Sequence, residues 1–176
     1  MQVRLDKRAR IIADGGQAYP VDLLRDHTLV QVRQKYTDDT GELTLAPGEE
    51  TTDEVTVGGR VVFVRNTGKL CFASLQDGFT ETSNGERLQI MLSKAEVGDE
   101  SLAAWKSDVD LGDHVWVRGR VVVSRRGELS IMAAEWRLAS KALRPLPTLH
   151  KELSEETRVR RRYADLVVRE ESRQMV

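Results

Sequence analysis

A few side chains in the middle of the chain could bind a planar, polar ligand. Phe72 offers a flat ring for stacking, and Gln89 offers an amide that can both donate and accept hydrogen bonds. Arg65 and Lys69 precede the ring in sequence and add positive charge. Rings, amides and cations are the groups with which proteins hold single-stranded nucleic acid, where each stacked base contributes roughly 1 to 3 kcal/mol.

A second group of candidate residues lies in the segment RRGELSI. Arg125 and Arg126 could contact phosphate groups, as could Lys69. Glu128 follows at the start of the next predicted strand. A carboxylate beside phosphates is unfavourable unless it accepts a hydrogen bond from a base. Glu128 would therefore contribute selectivity rather than affinity.

The residue pattern alone leaves these roles open. Phe72 could instead be a core aromatic, because the side of the strand on which it lies cannot be settled from alternation. Gln89 stands between two apolar residues, so strict alternation places it outside the sheet, where it could simply be solvated. Glu128 could be only a turn residue, and the cations could only keep the surface soluble.

Catalytic and metal-binding constellations are missing from the sequence. The three histidines have no serine or cysteine at a motif spacing, and the single cysteine cannot form an internal disulfide. Asp108, Asp110 and Asp113 resemble a calcium loop, but they lack its glycine and its terminal glutamate. We therefore expect a binding chain without catalytic residues, cofactor or metal.

The candidate residues need a sheet to position them, and five segments rich in β-branched residues predict one. These segments are EVTVGGRVVFVRN, LCFASLQDG, ERLQIMLS, DHVWVRGRVVVSR and GELSIMAAEWRLAS. An insert between the third and fourth shows near-helical spacing at Ala95, Leu102, Trp105 and Val109. This order predicts an OB-fold, a mainly β five-stranded barrel that a helix plugs at one end. Gly58, Gly59 and Gly119 lie inside strands and predict bulges or tight bends.

Helical segments flank the predicted barrel. Residues 4–14 predict an amphipathic helix whose apolar side is formed by Leu5, Ala9, Ile12 and Ala13. Thr28 can cap a second helix over LVQVRQKY, and Pro145 and Pro147 predict a stiff linker. A final helix carries an apolar stripe of Val159, Tyr163, Leu166 and Val167. We divide the chain into an extension at 1–53, a barrel at 54–140, and a linker with a helix at 141–176.

The composition, with 40% hydrophobic and 31% charged residues, excludes membrane-embedded and disordered proteins. There is no run of about 18 apolar residues, and the start of the chain lacks a secretion signal, so we expect a cytoplasmic protein. The formal net charge is -1, yet basic residues cluster at 118–126 and 137–162. A phosphate backbone responds to charge within about 8 Å, so these clusters matter more than the sum.

Six segments carry a family resemblance. They are GRVVFVRNTGKLCFASLQDG, RLQIML, DLGD, RGELSI, WRLASKALRPLP and RVRRRYADL. In this order they resemble the N-terminal half of bacterial class II lysyl-tRNA synthetases, and the resemblance covers nearly the whole chain. The KALRPLP linker with the RYADL motif is the most specific part, because aspartyl and asparaginyl relatives share the barrel without that linker. Ala164 departs from the family pattern, which usually has a larger aliphatic residue at that position.

This resemblance implies that the barrel binds the anticodon loop of lysine tRNA, with a UUU-type anticodon. Phe72 would stack on the central uridine, Arg65 and Gln89 would bond its edge, and Glu128 would meet a neighbouring anticodon base. The family also implies that ATP, Mg²⁺ and lysine belong to a catalytic domain downstream of residue 176. The parent would then be a homodimeric lysine–tRNA ligase, and the stripe near Tyr163 would be exposed.

Two alternatives use the same barrel differently. A stand-alone OB-fold protein could bind single-stranded nucleic acid or RNA without synthetase activity, and equal affinity for many sequences would favour it. An interaction paralogue could contact protein through the barrel. Loss of Phe72 or Gln89 would mark that paralogue, and both residues are present.

Overall fold

The structure is a computed structural model that describes residues 1–78, 86–147, 154–169 and 171–172. Its strands are β1 Glu50–Thr67, β2 Leu70–Gln76, β3 Arg87–Ser93, β4 His114–Val123 and β5 Leu129–Ser140. Its helices are α1 Gln2–Ala13, α2 Leu29–Lys35, α3 Lys94–Val97, α4 Asp99–Asp108, α5 Glu155–Arg160 and α6 Arg162–Val168. None of the helices within the described ranges combines the length and the apolar character needed to cross a bilayer.

The five strands close into a barrel in the order β1-β2-β3-β5-β4. All neighbours are antiparallel except β3 and β5, which run parallel. Alternate residues fill the interior with aliphatic side chains, among them Val57, Val61, Ala73, Leu75, Leu88, Ile90, Val117 and Ile131. The predicted mainly β class and the five-stranded barrel with a helical insert between the third and fourth strands are confirmed.

Two bulges shape the sheet at places that matter for the outer surface. In β1 the register with β2 shifts between Val61 and Phe63, and both Val61 and Val62 are buried. Between β4 and β5 the register shifts at Arg118 and Gly119, which confirms a bulge beside that glycine. Gly58 and Gly59, by contrast, lie in unbroken register with β4, so that pairing has no bulge there, and the alternative of a tight bend stays a prediction.

Helices close the barrel near both ends of β3. At its start, Arg33 of α2 donates to the carbonyl of Arg87, and Thr28 caps α2 in a reciprocal capping box with Gln31, as predicted. At its end, the insert forms two helices instead of one, because Gly98 adopts a φ of 83° between them. Three of the four predicted helix residues are buried, namely Leu102, Trp105 and Val109. Ala95 is exposed, and Val97 packs against the core instead.

Helix α1 contacts the barrel through cations, which corrects the predicted apolar stripe. Ala9, Ile12 and Ala13 are exposed, and only Ile11 packs against the core cluster from the end of the helix. The contacts that fix the helix are polar. They come from Arg4 to the carbonyls of Leu111, Ala142 and Arg144, from Lys7 to Asp110, and from Arg10 to Asp108.

A buried ammonium group joins the end of the barrel to the linker. The side chain of Lys141 is fully buried, and its Nζ lies 2.6 Å from the carboxylates of both Asp110 and Asp113 and from the carbonyl of Asp108. Asp113 also accepts hydrogen bonds from the backbone N–H groups of Asp110 and Ala142. The three carboxylates that resemble a calcium loop therefore bind cationic side chains of the chain itself.

The C-terminal segment forms two short helices where one was predicted, with a break at Arg161. Val159 and Tyr163 are exposed, whereas Leu166 is partly buried. Ala164 and Asp165 are buried, and the Asp165 carboxylate accepts a hydrogen bond of 2.6 Å from the hydroxyl of Ser172. The predicted apolar stripe is thus exposed only in part.

Substituting Gly119 with alanine should destabilise the barrel. A Cβ atom at this position would lie 2.1 Å from the carbonyl oxygen of Met132. Because this oxygen belongs to the backbone of β5, the clash can be relieved only if β5 shifts. We expect the free energy of unfolding in urea to fall by at least about 2 kcal/mol. Gly58→Ala is the matched control, because its Cβ would meet its nearest neighbour at 3.7 Å. Equal stability of the two variants would contradict the close approach of β4 and β5.

Removing the ammonium of Lys141 should also destabilise the fold. Lys141→Met leaves the fully buried carboxylate of Asp113 without its cation, a change that typically lowers the free energy of unfolding by about 3 to 5 kcal/mol. Lys94→Met is the control, because it removes only an exposed ion pair with Asp99. It should change the free energy of unfolding by less than about 1 kcal/mol. A loss no larger than that of the control would show that Lys141 is not a structural cation.

The same cluster predicts a pH dependence. Burial alone would raise the pKa of Asp110, but hydrogen bonds from Lys141 and Lys7 outweigh it and hold this pKa below its ordinary value. A carboxyl group with a lowered folded pKa stabilises the protein above its unfolded pKa of about 3.9 and loses that contribution as the pH falls through the folded pKa. In Lys141→Met the stability should therefore depend less on pH below about pH 4.

Candidate nucleic-acid interface

An open groove of about 1310 Å³ lies on the outer face of β1, β2 and β3. Helix α2 and the turn between β4 and β5 complete its walls. Six of the seven residues predicted from the sequence line this groove, namely Arg65, Phe72, Gln89, Arg125, Arg126 and Glu128. The barrel therefore gathers most of the predicted binding residues on one surface.

Strand register arranges the groove floor in two rows of side chains. One row runs across four strands through Phe63, Ser74, Gln89 and Ser130, which are successive register partners. The next row runs through Arg65, Phe72, Met91 and Met132. The residues between the rows include Ala73, Ile90 and Ile131, which are buried in the core. The alternation of the strands thus turns both rows to the outer side of the barrel, where their members on β1, β2 and β3 line the groove. Ser130 is fully buried, and neither Ser130 nor Met132 lines the groove.

Phe72 lies outside the barrel, which excludes the core alternative for its ring. Its neighbours Cys71 and Ala73 are buried, whereas Phe72 is only partly buried and lines the groove. The guanidinium of Arg65 lies over the ring, 4.8 Å from its centroid, in a cation–π contact. Because Arg65 is exposed, a base can displace its guanidinium or stack together with it.

Gln89 is held in a defined orientation beside the ring. Its Nε2 donates to the hydroxyl of Ser130 at 2.8 Å, and that hydroxyl donates to the backbone carbonyl of Glu128 at 2.9 Å. Within the described ranges the Oε1 atom of Gln89 makes no hydrogen bond. The amide therefore presents a free acceptor, together with its second N–H, to a ligand in the groove.

The turn between β4 and β5 presents Arg125 and Arg126 at the rim. Backbone bonds from Ser124 to the Glu128 carbonyl and from Gly127 to the Ser124 carbonyl, each 2.8 Å, close this turn. Gly127 has a φ of 83°, a conformation that suits glycine. Arg125 and Arg126 are exposed there, and the Glu128 side chain is about half exposed. Lys69 lies in the β1–β2 turn and does not line the groove.

Among the groove residues that the sequence did not predict, Arg33 and Phe63 add a charge and an exposed ring. Arg33 comes from α2, where it donates to Glu86 and to the Arg87 carbonyl at 2.7 Å and lies 3.9 Å from the Glu128 carboxylate. Nothing in the sequence links a helix residue at 33 to a turn at 128. Phe63 is 53% exposed on β1. The bulge at Val62 reverses the inward and outward alternation just before Phe63. The sequence shows only two adjacent valines there, which do not indicate a bulge.

The groove carries more positive than negative charge, although the whole chain is nearly neutral. Five arginines and two glutamates line it, and Arg33 pairs with both of the glutamates. A surface with aromatic rings among cations suits single-stranded nucleic acid.

A family model for an OB-fold nucleic acid binding domain matches residues 55–139, the part of the chain that forms the barrel. The barrel belongs to this OB-fold family. The groove of this barrel lies on β1, β2 and β3. Members of the fold commonly bind single-stranded nucleic acid across the second and third β-strands.

Nearly the whole chain, including the OB domain, is similar to lysine–tRNA ligases. It is 60% identical over 173 residues to the lysine–tRNA ligase of Kineococcus radiotolerans and 56% identical over 172 residues to that of Mycolicibacterium gilvum. Each match covers 98% of this chain and 32% of the ligase, so the chain spans about a third of the length of these relatives. It is also 37% identical to the lysylphosphatidylglycerol biosynthesis bifunctional protein LysX of Rhodococcus jostii, over 14% of that protein.

Proposed function

We propose that the OB domain binds the anticodon loop of lysine tRNA and that the chain is the anticodon-binding part of a lysine–tRNA ligase. The observation that carries this proposal is the pairing of an outward ring, Phe72, with an oriented amide, Gln89, in a chain 60% identical to a lysine–tRNA ligase. Neither the ring nor the amide serves the barrel core. Their placement is explained by a ligand with a flat face and a polar edge.

In this proposal the central anticodon base stacks on Phe72. The Arg65 guanidinium, which lies over the ring in the free protein, moves aside and bonds the edge or the phosphate of that base. Gln89 offers its free Oε1 acceptor and its second N–H to the edge of the base. Ser130 keeps the amide from rotating, so the pattern presented to the base is set before binding.

Glu128 and the nearby cations have separate roles. The Glu128 carboxylate accepts a hydrogen bond from a neighbouring anticodon base, and Arg33 at 3.9 Å offsets its negative charge. Arg125 and Arg126 contact the RNA backbone from the exposed turn, and Lys69 does so from outside the groove. A UUU-type anticodon fits these roles, because each uracil combines a flat face with an N–H donor for a carboxylate or amide acceptor.

The remaining parts of the proposal concern the parent protein. Residues 1–53 support the binding face at 54–140 through α2, and 141–176 connect it to the rest of the ligase. Lysine, ATP and Mg²⁺ are handled by the part of the relatives' length that this chain does not cover, which also forms the homodimer. A cytoplasmic location follows from a role in tRNA aminoacylation.

The alternative of a stand-alone nucleic-acid binder uses the same groove. The match to lysine–tRNA ligases over 98% of the chain supports the first proposal over this alternative. The identity to LysX is lower, at 37%. These values support the ligase proposal, and binding preference provides the direct test.

Binding of an anticodon stem-loop should depend on the ring of Phe72. The chain should bind a UUU stem-loop more tightly than the same stem-loop with a changed central base. Phe72→Ala should weaken the UUU complex by about 1 to 3 kcal/mol without unfolding the barrel, because one base loses its stacking partner. Fluorescence anisotropy measures the affinity, and thermal unfolding checks the fold.

Tyr163→Ala is the matched control, since it removes an exposed ring that does not line the groove. Its affinity should equal that of the unaltered chain. A folded Phe72→Ala variant that binds as tightly would reject the stacking role. Equal affinity for all stem-loops would favour the stand-alone alternative.

Neutralising Arg125 and Arg126 should change the salt dependence of binding. The double substitution to glutamine removes about two phosphate contacts, so the slope of log K against log salt should become shallower by about 1 to 2. Preference for the central base should stay the same. Arg118→Gln, on the outer side of β4 and paired with Glu135, is the control and should leave the slope unchanged. A shift in base preference would show that these arginines read base edges.

A further inference from the structure

Phe63 is an apolar ring that the fold turns toward the binding groove. The ring is 53% exposed, more than any other large apolar side chain that lines the groove in the described part of the chain. Strict alternation from Val61 would make Phe63 an inward residue. The register shift between Val61 and Phe63 adds Val62 to β1 as an extra, buried residue and turns the next side chain outward.

The position of Phe63 relative to Phe72 suits two neighbouring nucleotides. Phe63 pairs across the sheet with Ser74, and Phe72 lies two residues from Ser74 on the same face of β2. Such diagonal neighbours are separated by about 7 to 8 Å. The rise between stacked bases in one strand is about 3.4 Å. Two bases could therefore occupy the two rings only if they were unstacked from each other, as in a splayed loop.

We propose that Phe63 is a second stacking platform that holds a nucleotide adjacent to the one on Phe72. This inference rests on the proposed function and extends its binding surface to β1. Ser74 is the direct register partner of Phe63, so its hydroxyl lies beside the ring for the edge of the second base, while Gln89 serves the base on Phe72. The second platform places its base on the β1 side of the groove, whereas Glu128 lies in the turn between β4 and β5.

The surroundings of Phe63 favour RNA over a protein partner. Five arginines line the groove around this ring, and no second exposed large apolar side chain extends it into a patch among the described residues. Protein docking surfaces have an apolar centre with few charges. Two separate rings, Phe63 and Phe72, among five arginines are instead the pattern of single-strand binding, in which rings stack on bases and arginines contact phosphates.

The test measures binding of the whole chain to UUU anticodon stem-loops in which one anticodon nucleotide at a time is abasic. Phe63→Ala should weaken binding of the intact loop at least about fivefold, which corresponds to about 1 kcal/mol, the lower end of the stacking range. Phe63→Tyr keeps the ring and should bind as the unaltered chain does. Phe63→Gln is a second variant that removes the ring and introduces a long polar side chain suited to an exposed position. It should behave like Phe63→Ala.

The abasic loops identify the nucleotide. Phe63→Ala should have no further effect on the loop that lacks one of the two flanking bases, because its stacking partner is already gone. It should keep its full effect on the loop that lacks the central base, whereas Phe72→Ala should lose its effect there. This cross pattern separates a stacking role from a loss of fold, which would weaken all loops equally.

Two results would overturn the inference in distinguishable ways. If Phe63→Ala and Phe63→Gln bind all loops as tightly as the unaltered chain while Phe72→Ala binds weakly, the second platform is wrong and the proposed function stands. If the unaltered chain binds every loop equally, the proposed function fails and this inference fails with it.

Discussion

Closure of the barrel around a dry core decides which residues of this chain can reach a ligand. In a closed sheet every strand must send alternate side chains inward, so the core residues Ala73 and Ile90 determine that Phe72 and Gln89 face outward. Closure in turn requires the backbones of β4 and β5 to approach each other at Gly119, where no side chain would fit. The outward position of Phe72 and Gln89 on the groove floor is therefore a consequence of core packing, while α2 and the β4–β5 turn add the walls of the groove.

The segments that flank the barrel add a charged residue to the groove and polar contacts to the fold. Helix α2 fills one end of the barrel with Leu29 and Val32 and directs Arg33 into the groove, next to Glu128. Arg33 thus places a positive charge 3.9 Å from the Glu128 carboxylate. At the other flank, the buried ammonium of Lys141 joins the barrel to the linker that follows it. Stability and recognition thus depend on polar contacts outside the strands.

Sequence patterns predicted the elements well where one period dominates. The five strands and the Thr28 cap were predictable because alternation and capping chemistry are local. Predictions failed where distant contacts decide the outcome. Helix α1 has apolar residues at helical spacing, yet it contacts the barrel through Arg4, Lys7 and Arg10, since its partners are carbonyls and carboxylates from 108–111, 142 and 144. Gly98 likewise divides the insert into two helices.

The same distinction holds for the binding groove. Alternation placed Gln89 outside, but the side on which Phe72 lies was decided only by the barrel register. The outward position of Phe63 was not predictable, because it depends on a bulge at Val62 that adjacent valines in the sequence do not indicate. Arg33 was not predictable either, since its contact with Glu128 joins residues far apart in sequence. Local chemistry can thus nominate a binding residue, while bulges and long-range packing determine the full set.

The proposed binding mode places a base on the outward ring of Phe72 beside the amide of Gln89. Nuclear Overhauser effects between the chain and a UUU anticodon stem-loop would show this placement in solution. We expect contacts between the Phe72 ring protons and the H5 and H6 protons of the central uridine, with Gln89 amide protons nearby. Contacts from that uridine to other surfaces, with the Phe72 ring still covered by Arg65 in the complex, would contradict it.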